Sequence, residues 1–371
     1  MSAFTETILS WYDANARDLP WRRTRDPYAV WLSEIILQQT RIAQGRAYWE
    51  RFMAAFPDVE ALAAASENEV LRLWQGLGYY SRARNLHAAA KQIAAMGRFP
   101  DTLEGIRALK GVGDYTAAAI GSIAFGLPAA VVDGNVYRVL ARHFGIATPV
   151  GSTAARKEFS ALAQSLLPPG RPGDFNQGMM DFGAMQCTPA APACLLCPLA
   201  GSCEALASGT VDRLPVMQKA PAVQTRRFDY IYLRYRGRTA IRRRGPGDIW
   251  QGLYEPLVVD NRRTAVAGHG DMPICAREAK KTAAGHGNVS ERAREATPQL
   301  LRAGVRHQLT HRTLLVDFYL WEPAVEPALP EGYFWIEEAE LDRYAKPRLF
   351  ELLLEALPEN GASGQGQDTN S

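Results

Sequence analysis

The chain has 371 residues, with 42 basic and 39 acidic side chains and a formal net charge of +3. That length holds two ordinary domains, and so even a charge balance neither demands nor forbids a nucleic-acid partner; any basic surface must come from placement. No stretch approaches the roughly eighteen consecutive apolar residues of a membrane-spanning helix, and the opening MSAFTETILSWYDANARDLPW has acids but no basic leader. The expected location is therefore the cytoplasm, where cysteines stay reduced and bind metal or lie inert.

Residues 4–16 read as an amphipathic helix with Phe4, Ile8, Trp11 and Tyr12 on one face. Pro20 and Pro27 fix extended turns, and Ser33 reads as the cap of a helix running to about Phe52. Glu34 opens that helix between Trp31 and Ile35. An acid there either complements the helix dipole or serves chemistry. Gln38 and Gln39 are unusual in an apolar helix, and amides carry both donors and acceptors, as reading a base edge requires. Gly76 and Gly78 then mark a turn, followed by a helix through Leu86, Ala90 and Ile93. At that turn Tyr79 and Tyr80 are either core residues or aromatics able to enter between base pairs.

Residues 109–142 organise the first half. LKGVGDYTAAAIGSIAFG reads as a helix end, a Gly-Val-Gly turn and a second, alanine-rich helix, with Gly111 and Gly113 free to take positive φ. Amides opening the second helix present unpaired N–H groups to an anion, a phosphate seat that recognises no sequence. About twenty residues on comes Val-Asp-Gly-Asn, in which Asp133 is either a helix cap or an acid beside the seat, with Asn135 able to orient it. Lys110 adds a cation near the phosphate and Asp114 an anion.

More helix follows between 153 and 186, including Asp181, which reads as a solvated carboxylate if it has no other task. Cys187, Cys194, Cys197 and Cys203 then give C-x6-C-x2-C-x5-C, with Pro198 after the third. Structural zinc usually takes two paired C-x2-C units or mixes in histidine, but one pair occurs here and no histidine lies between residues 144 and 268. Four thiolates so spaced suit a 4Fe–4S cluster better. Cys275 lies far off in a polar segment and is incidental.

Small, polar and proline residues over 208–226 read as a linker. Beyond it the apolar period becomes two: FDYIYLRY and TAIRRR form a hairpin about an Arg-Gly turn, and DIWQGLYEPLVV and RTLLVDFYLW are further strands. Residues 261–300 read as a long loop with one weak helix, AKPRLFELLLEAL as a final helix, and 358–371 as a disordered tail.

The order Gly-Val-Gly, apolar helix, Val-Asp-Gly-Asn resembles the helix-hairpin-helix DNA glycosylase superfamily, and Ser33–Thr40 resembles the signature of its adenine DNA glycosylases, the MutY family. That family removes adenine mispaired with 8-oxoguanine or guanine. The resemblance covers about residues 4–355 and implies a mainly α helix-hairpin-helix glycosylase domain with a 4Fe–4S subdomain, followed by an α+β nudix-like domain. The first domain would span 1–207, with a six-helix subdomain over about 21–133 and an iron–sulfur subdomain built from the N-terminal helix and about 134–207. The second would span 227–357.

The resemblance also implies roles. Trp21, Arg22 and Leu37 match adenine-pocket positions, Asp181 a contact to the extruded base's amine, and Tyr79 a wedge with Gln39 probing from the other side. The second domain would check the opposite base through a short loop matching Leu309-Thr310-His311, where Thr310 keeps the hydroxyl and Leu309 lacks the family's aromatic ring; alternatively Thr310 and His311 only cap a strand. No Gly…Arg-Glu…Glu-Glu carboxylate box stands between residues 236 and 300, so hydrolysis of pool nucleotides is not expected.

Breaking an N-glycosidic bond means stabilising a departing base and a cationic sugar. A buried carboxylic acid stays protonated near neutral pH and can protonate N7 of adenine, the role of Glu34. Asp133 must stay ionised and steady the oxocarbenium-like sugar. Superfamily members that also cut the strand carry a lysine that attacks the sugar as an imine-forming nucleophile. Tyr115 aligns there, and a phenol cannot form an imine, so the expectation is a monofunctional, monomeric glycosylase acting on double-stranded DNA with adenine mispairs, in the bacterial nucleoid. The rivals are a thymine-mismatch glycosylase and a non-catalytic iron–sulfur DNA-binding protein.

Overall fold

The computed structural model describes residues 1–218, 223–247, 249–260, 297–309 and 312–358. By its contacts the chain forms two compact units: residues 1–66 with 82–220, and residues 67–81 with 221–371. Among the described residues no helix is long and apolar enough to cross a membrane.

The first unit is helical: α1 (Ala3–Asn15), α2 (Pro27–Leu37), α3 (Ile42–Ala55), α4 (Val59–Ala64), then α6 (Ser81–Met96), α7 (Leu103–Arg107), α8 (Asp114–Ala124), α9 (Gly134–Phe144), α10 (Thr153–Leu166), α11 (Pro172–Asp181) and α12 (Glu204–Ala207). Phe4 and Ile8 of α1, Val136 and Leu140 of α9, Phe159 of α10 and Phe175 and Met179 of α11 share one core. Helix α2 starts earlier than Ser33. Pro27 occupies its first turn, and Asp26 caps it by accepting from the Tyr28 and Ala29 amides at 3.1 and 3.3 Å. Ser33 is instead inside the helix, its hydroxyl donating to Val30 O at 2.7 Å. The helix stops at Leu37 because Gln39 turns left-handed, at φ 59°, and the Arg82 guanidinium takes the carbonyls of Ile35, Ile36 and Gln38. The expected single helix is therefore two, with both glutamines in the break.

In the hairpin between α7 and α8 only Gly111 has positive φ, 78°, and a Cβ there would meet Asn85 Cβ at 2.5 Å. Gly113 is extended and caps α8, and a Cβ on it would meet nothing within 4 Å, which leaves open space at the helix entrance. The link from α8 to α9 is pinned by two amides. Asn176 accepts from Val131 N at 3.1 Å and donates to Ala129 O and Ser122 Oγ, both at 2.8 Å, while Gln164 accepts from Ala130 N at 3.0 Å. Asp133, two residues past Val131, inherits that placement.

The expected linker is partly structure. Val150 N donates to Val216 O at 2.8 Å, Gln218 N to Val150 O at 3.0 Å and Arg142 Nε to Leu214 O at 2.9 Å, so residues to 218 belong to the helical unit. Leu214 is buried in the core of that unit, and Val211 and Val216 pack against it, but the small, polar and proline residues around them give the segment no apolar period to read.

Among the described residues the second unit carries a seven-stranded mixed sheet: β1 (Gln224–Tyr235), β2 (Arg238–Arg243), β3 (Tyr254–Glu255), β4 (Leu257–Asp260), β5 (Gln299–Gln308), β6 (Arg312–Trp321) and β7 (Tyr333–Glu337). The order is β3-β2-β1-β6-β5, with β4 on β1 and β7 on β2. Strand β1 runs parallel to β6 and antiparallel to β2 across the Arg236-Gly237 turn, whose φ values of 50° and 75° suit a tight hairpin. Helix α13 (Arg348–Glu355) packs Leu349, Phe350 and Leu353 against Tyr230, Phe318 and Ile336. The segment DIWQGLYEPLVV yields only β3 and β4, and β5 and β7 lie in stretches not read as strands. Helix α5 (Glu67–Trp74) joins this unit. Asn68 bonds Arg343 O at 2.7 Å and Ala345 N at 3.2 Å, and Gln75 accepts from Lys346 N at 3.1 Å. The loop and helix expected over 261–300 lie outside the described residues as far as 296, as does the tail from 359.

Candidate active site

A cavity of about 220 Å³ opens in the helical unit between α2, α8, α11 and the start of α9. Its wall brings together Glu34, Asp133, Asn135 and Tyr115, with Trp21, Arg22 and Leu37 alongside. Residues a hundred positions apart in the chain thus share one chamber.

Helix α2 presents Glu34 with Ser33, Ile35 and Ile36 buried around it. Burial pushes its carboxyl up to about 7, with the Asp133 charge acting in the same direction; a hydrogen bond with Tyr115 and the Arg22 charge act against them. Near neutrality the group is therefore poised to hold and release a proton. Burial likewise drives the Tyr115 hydroxyl well above its ordinary range, so it stays a phenol.

Asp133 caps α9. Its Oδ1 accepts from Val136 N and its Oδ2 from Asn135 Nδ2, both at 2.8 Å, at the positive end of the helix dipole. These donors stabilise an anion and aim it. Asn135 is held in turn: Arg138 Nη2 donates to its Oδ1 at 2.8 Å and to Gly183 O at 2.7 Å. Gly183 is required here, since a Cβ would meet Asn135 Cβ at 2.6 Å. Arg138 Nε also donates to Cys187 O at 2.7 Å, which ties the acid's support to the cysteine loop. Asp133→Asn keeps the cap but loses the charge; the expected result is a release rate down by about 10²–10³-fold in single-turnover assays, with the melting point little moved. A rate within about twofold of wild type contradicts the role.

Asp181 requires correction. It is fully buried and does not line the cavity. Arg22 grips it with two hydrogen bonds of 2.6 and 2.8 Å and Arg17 Nε adds one of 2.8 Å, so its oxygens have no capacity left for a base. Burial alone would raise this carboxyl; the hydrogen bonds and charges of Arg22 and Arg17 outweigh it and hold it below the ordinary range. Its effect is to fix Arg22, also held over the Tyr12 ring at 5.7 Å, against the cavity wall. One turn earlier on α11 stands a residue the sequence reading missed. Gln177 is 8% exposed, lines the cavity and has no hydrogen-bond partner among the described residues. An amide in that position can both donate and accept. The signal available was its spacing: three residues before Met180, another lining residue.

The remaining residues lie outside the cavity wall. Gln38 Nε2 donates to Thr116 Oγ1 at 3.2 Å, and Gln39 is exposed beside it in the strained turn. Gly111 and Gly113 form the hairpin. Tyr79, 46% exposed with φ 46°, belongs to the second unit. Leu309 N donates to Arg312 O at 2.7 Å, closing the β5–β6 hairpin; Thr310 and His311 between them lie outside the described residues.

A separate, mostly apolar pocket gathers Cys187, Cys194, Cys197 and Cys203, all free of disulfides. Arg142 Nη1 donates to Cys187 Sγ at 3.4 Å, and Arg142 also takes Thr188 O and Pro189 O at 2.7 and 3.0 Å. Among the described residues no three His, Cys, Asp or Glu converge on a point that would hold a single ion. Four sulfurs spread around one pocket fit an iron–sulfur cube, which takes one thiolate at each iron.

Residues 32–168 match the HhH-GPD superfamily of base excision DNA repair proteins, and residues 229–356 match the NUDIX domain. The helical unit is thus of the base-excision repair class, joined to a nudix-type domain. The solved structure of a thermostable thymine-DNA glycosylase superposes with a TM-score of 0.52 at 34% identity, over 55% of this chain and 95% of that one. The adenine DNA glycosylase of Buchnera aphidicola from Acyrthosiphon pisum is 34% identical over 254 residues, 68% of this chain and 73% of that protein. The chain belongs to the adenine DNA glycosylase family. The human adenine DNA glycosylase is 45% identical over 239 residues, 59% of this chain but only 44% of the human protein's length.

Proposed function

We propose that this protein excises adenine mispaired with 8-oxoguanine or guanine from duplex DNA and leaves an abasic site without cutting the strand. One observation carries the reading: Glu34 and Asp133 share a single cavity, one held near neutral titration by burial, the other ringed by donors. A volume of about 220 Å³, roughly that of seven waters at ~30 Å³ each, has room for one flat base turned out of the stack.

Glu34 gives its proton to N7 of the extruded adenine. The bond from the sugar C1′ to N9 then breaks with its electron pair leaving on the purine. Asp133 faces the electron-poor sugar, and water adds its hydroxyl to C1′ while releasing a proton. Arg22 and the Gln177 amide recognise the base edge, and Tyr115 offers no amine for an imine. Gly111, Gly113 and Lys110 seat the backbone, Tyr79 and Gln39 open the duplex, and Thr310 and His311 examine the opposite base. The protein acts as a monomer on cytoplasmic DNA. The four cysteines would hold a 4Fe–4S cluster, which when bound cross-links the 187–203 loop and can carry an electron.

The test uses duplexes with adenine opposite 8-oxoguanine, guanine or thymine, and thymine opposite guanine, with and without alkali. Release of adenine from the first two, nicked only after alkali, is expected. Thymine release, suggested by the likeness to a thymine-DNA glycosylase, or nicking without alkali, would overturn it. For the cluster, metal analysis of aerobically purified protein should give about four irons per chain; Cys197→Ser should lose them along with the visible absorbance. One zinc per chain instead would mean a structural zinc site.

A further inference from the structure

The bonds of Asp133 to Val136 N and Asn135 Nδ2 fix its carboxylate only against its own helix, α9. Its place against the rest of the cavity comes from the stretch leading into it, residues 126–132, which is neither helix nor strand. Buried backbone groups in such a stretch need partners from elsewhere, and one side chain supplies them. Asn176 is 1% exposed and does not line the cavity. Its Oδ1 accepts from Val131 N at 3.1 Å, and its two amide hydrogens go to Ala129 O and Ser122 Oγ, both at 2.8 Å. Three walls of the chamber meet at this amide: α11, with Gln177 and Met180; α8, with Tyr115 and Ser122; and the stretch that ends in Asp133. Helix α8 is tied onward to the end of α2, the helix of Glu34, by Gln38 Nε2 donating to Thr116 Oγ1 at 3.2 Å. Only an amide suits the place, since a carboxylate would set an acceptor against the Ala129 carbonyl and a hydroxyl has one proton to give. Gln164 grips the same stretch from outside, accepting from Ala130 N and donating to Pro128 O, both at 3.0 Å.

We propose that Asn176, with Gln164 as a second clip, is a positioning residue for Asp133. It touches neither the acid nor the cavity, yet it decides where the negative charge stands relative to Glu34. The cap bonds on α9 aim the carboxylate, and the Asn176 amide holds the helix start that carries it. A buried network whose donors and acceptor are all used is rigid. Rigidity matters here because a charge that must face a short-lived cationic sugar is worth little when displaced: a shift of about 1 Å can cost about 10²-fold in rate.

The inference deepens the glycosylase reading and rests on it for its purpose. Asn176→Ala in full-length protein is expected to slow single-turnover adenine release by about 10–10²-fold, with the dissociation constant for the duplex within a few-fold of wild type. In an Asp133→Asn background the same substitution should cost less than about twofold, because a neutral side chain has no charge to misplace. A merely structural role would lower both backgrounds alike. Should the alanine variant fail to fold, Gln164→Ala, at an exposed position, decides by the same pair of rates, with an expected loss of about threefold or more. A second arm needs no DNA. Crystal structures of the wild type and of whichever variant folds should show the Asp133 carboxylate displaced from Glu34 by about 1 Å, its bond to Val136 N intact. A rate within about twofold of wild type, an equal loss with and without the Asp133 charge, or an unmoved carboxylate overturns the proposal. Absence of adenine release by the wild type would instead remove the glycosylase reading, and the displacement in the crystal would still decide what holds Asp133.

Discussion

Glu34→Gln is expected to abolish base release while leaving duplex binding intact. A positioned general acid contributes about 10²–10⁴ in rate, and the amide that replaces it matches the shape of the carboxyl but has no proton to deliver to N7. Because Glu34 is held by helix α2 and not by an ion pair, its neutral replacement leaves no charge stranded. Fluorescence anisotropy with an adenine:8-oxoguanine duplex should give a dissociation constant within a few-fold of wild type, while single-turnover release falls at least about a hundredfold. A variant that still turns over would mean that another group supplies the proton. The substitution also tests the burial argument. Folding raises the Glu34 carboxyl to about 7, so its protonated form adds stability below its unfolded value, and this is lost as pH rises through about 7. Glu34→Gln should therefore be as stable as wild type in acid and relatively more stable above neutrality.

Asp181→Asn should have the largest effect on stability. The carboxylate is the buried counterion of Arg22 and Arg17, and removing one partner of such a group strands the others, at a cost of about 3–5 kcal/mol. Arg17 remains partly open to solvent, so the low end, about 3 kcal/mol, is expected. In a domain of this size that corresponds to a fall of about 6–12 °C in melting temperature. Since Asp181 is depressed on folding, its contribution is present above the unfolded carboxylate range and lost as pH falls through its folded value. The gap between wild type and variant should accordingly close on acidification. Activity should fall as well, through Arg22, whose guanidinium loses the partner that presses it against the cavity wall. Equal melting temperatures at neutral pH would show that the Arg22–Asp181–Arg17 group is not the buried tie described above.

Parts of this site were legible because their chemistry is local. The Gly-Val-Gly turn, the following apolar helix and Val-Asp-Gly-Asn fix a backbone path, and the cysteine spacing fixes a loop. Glu34 was legible because an acid among Trp31 and Ile35 must either be neutralised or be used. What the sequence hid depends on distant partners. The break after Leu37 is made by Arg82, more than forty residues on, taking three carbonyls. Asp181 drew attention through the resemblance, as a contact to the extruded base, yet its charge is consumed by Arg17 and Arg22 from the start of the chain, and the cavity receives Gln177 instead. Helix α5 buries Val70, Leu71 and Trp74, but what assigns it to the second unit is its pairing with residues about 180 to 280 positions on: Asn68 and Gln75 with the backbone of residues 343–346, and Glu67 with Arg243. Strand β5 escaped because it is an exposed, bulged edge whose alternation is broken at Arg302.

The central claim is that a single half-buried acid on the cavity wall, loaded with a proton at neutral pH, drives adenine out. The most direct measurement is the single-turnover rate of adenine release by the wild-type protein across about pH 5.5 to 9. The account predicts a rate that falls close to tenfold per unit above a midpoint of about 7. A rate that is flat, or that rises, through that midpoint would contradict it.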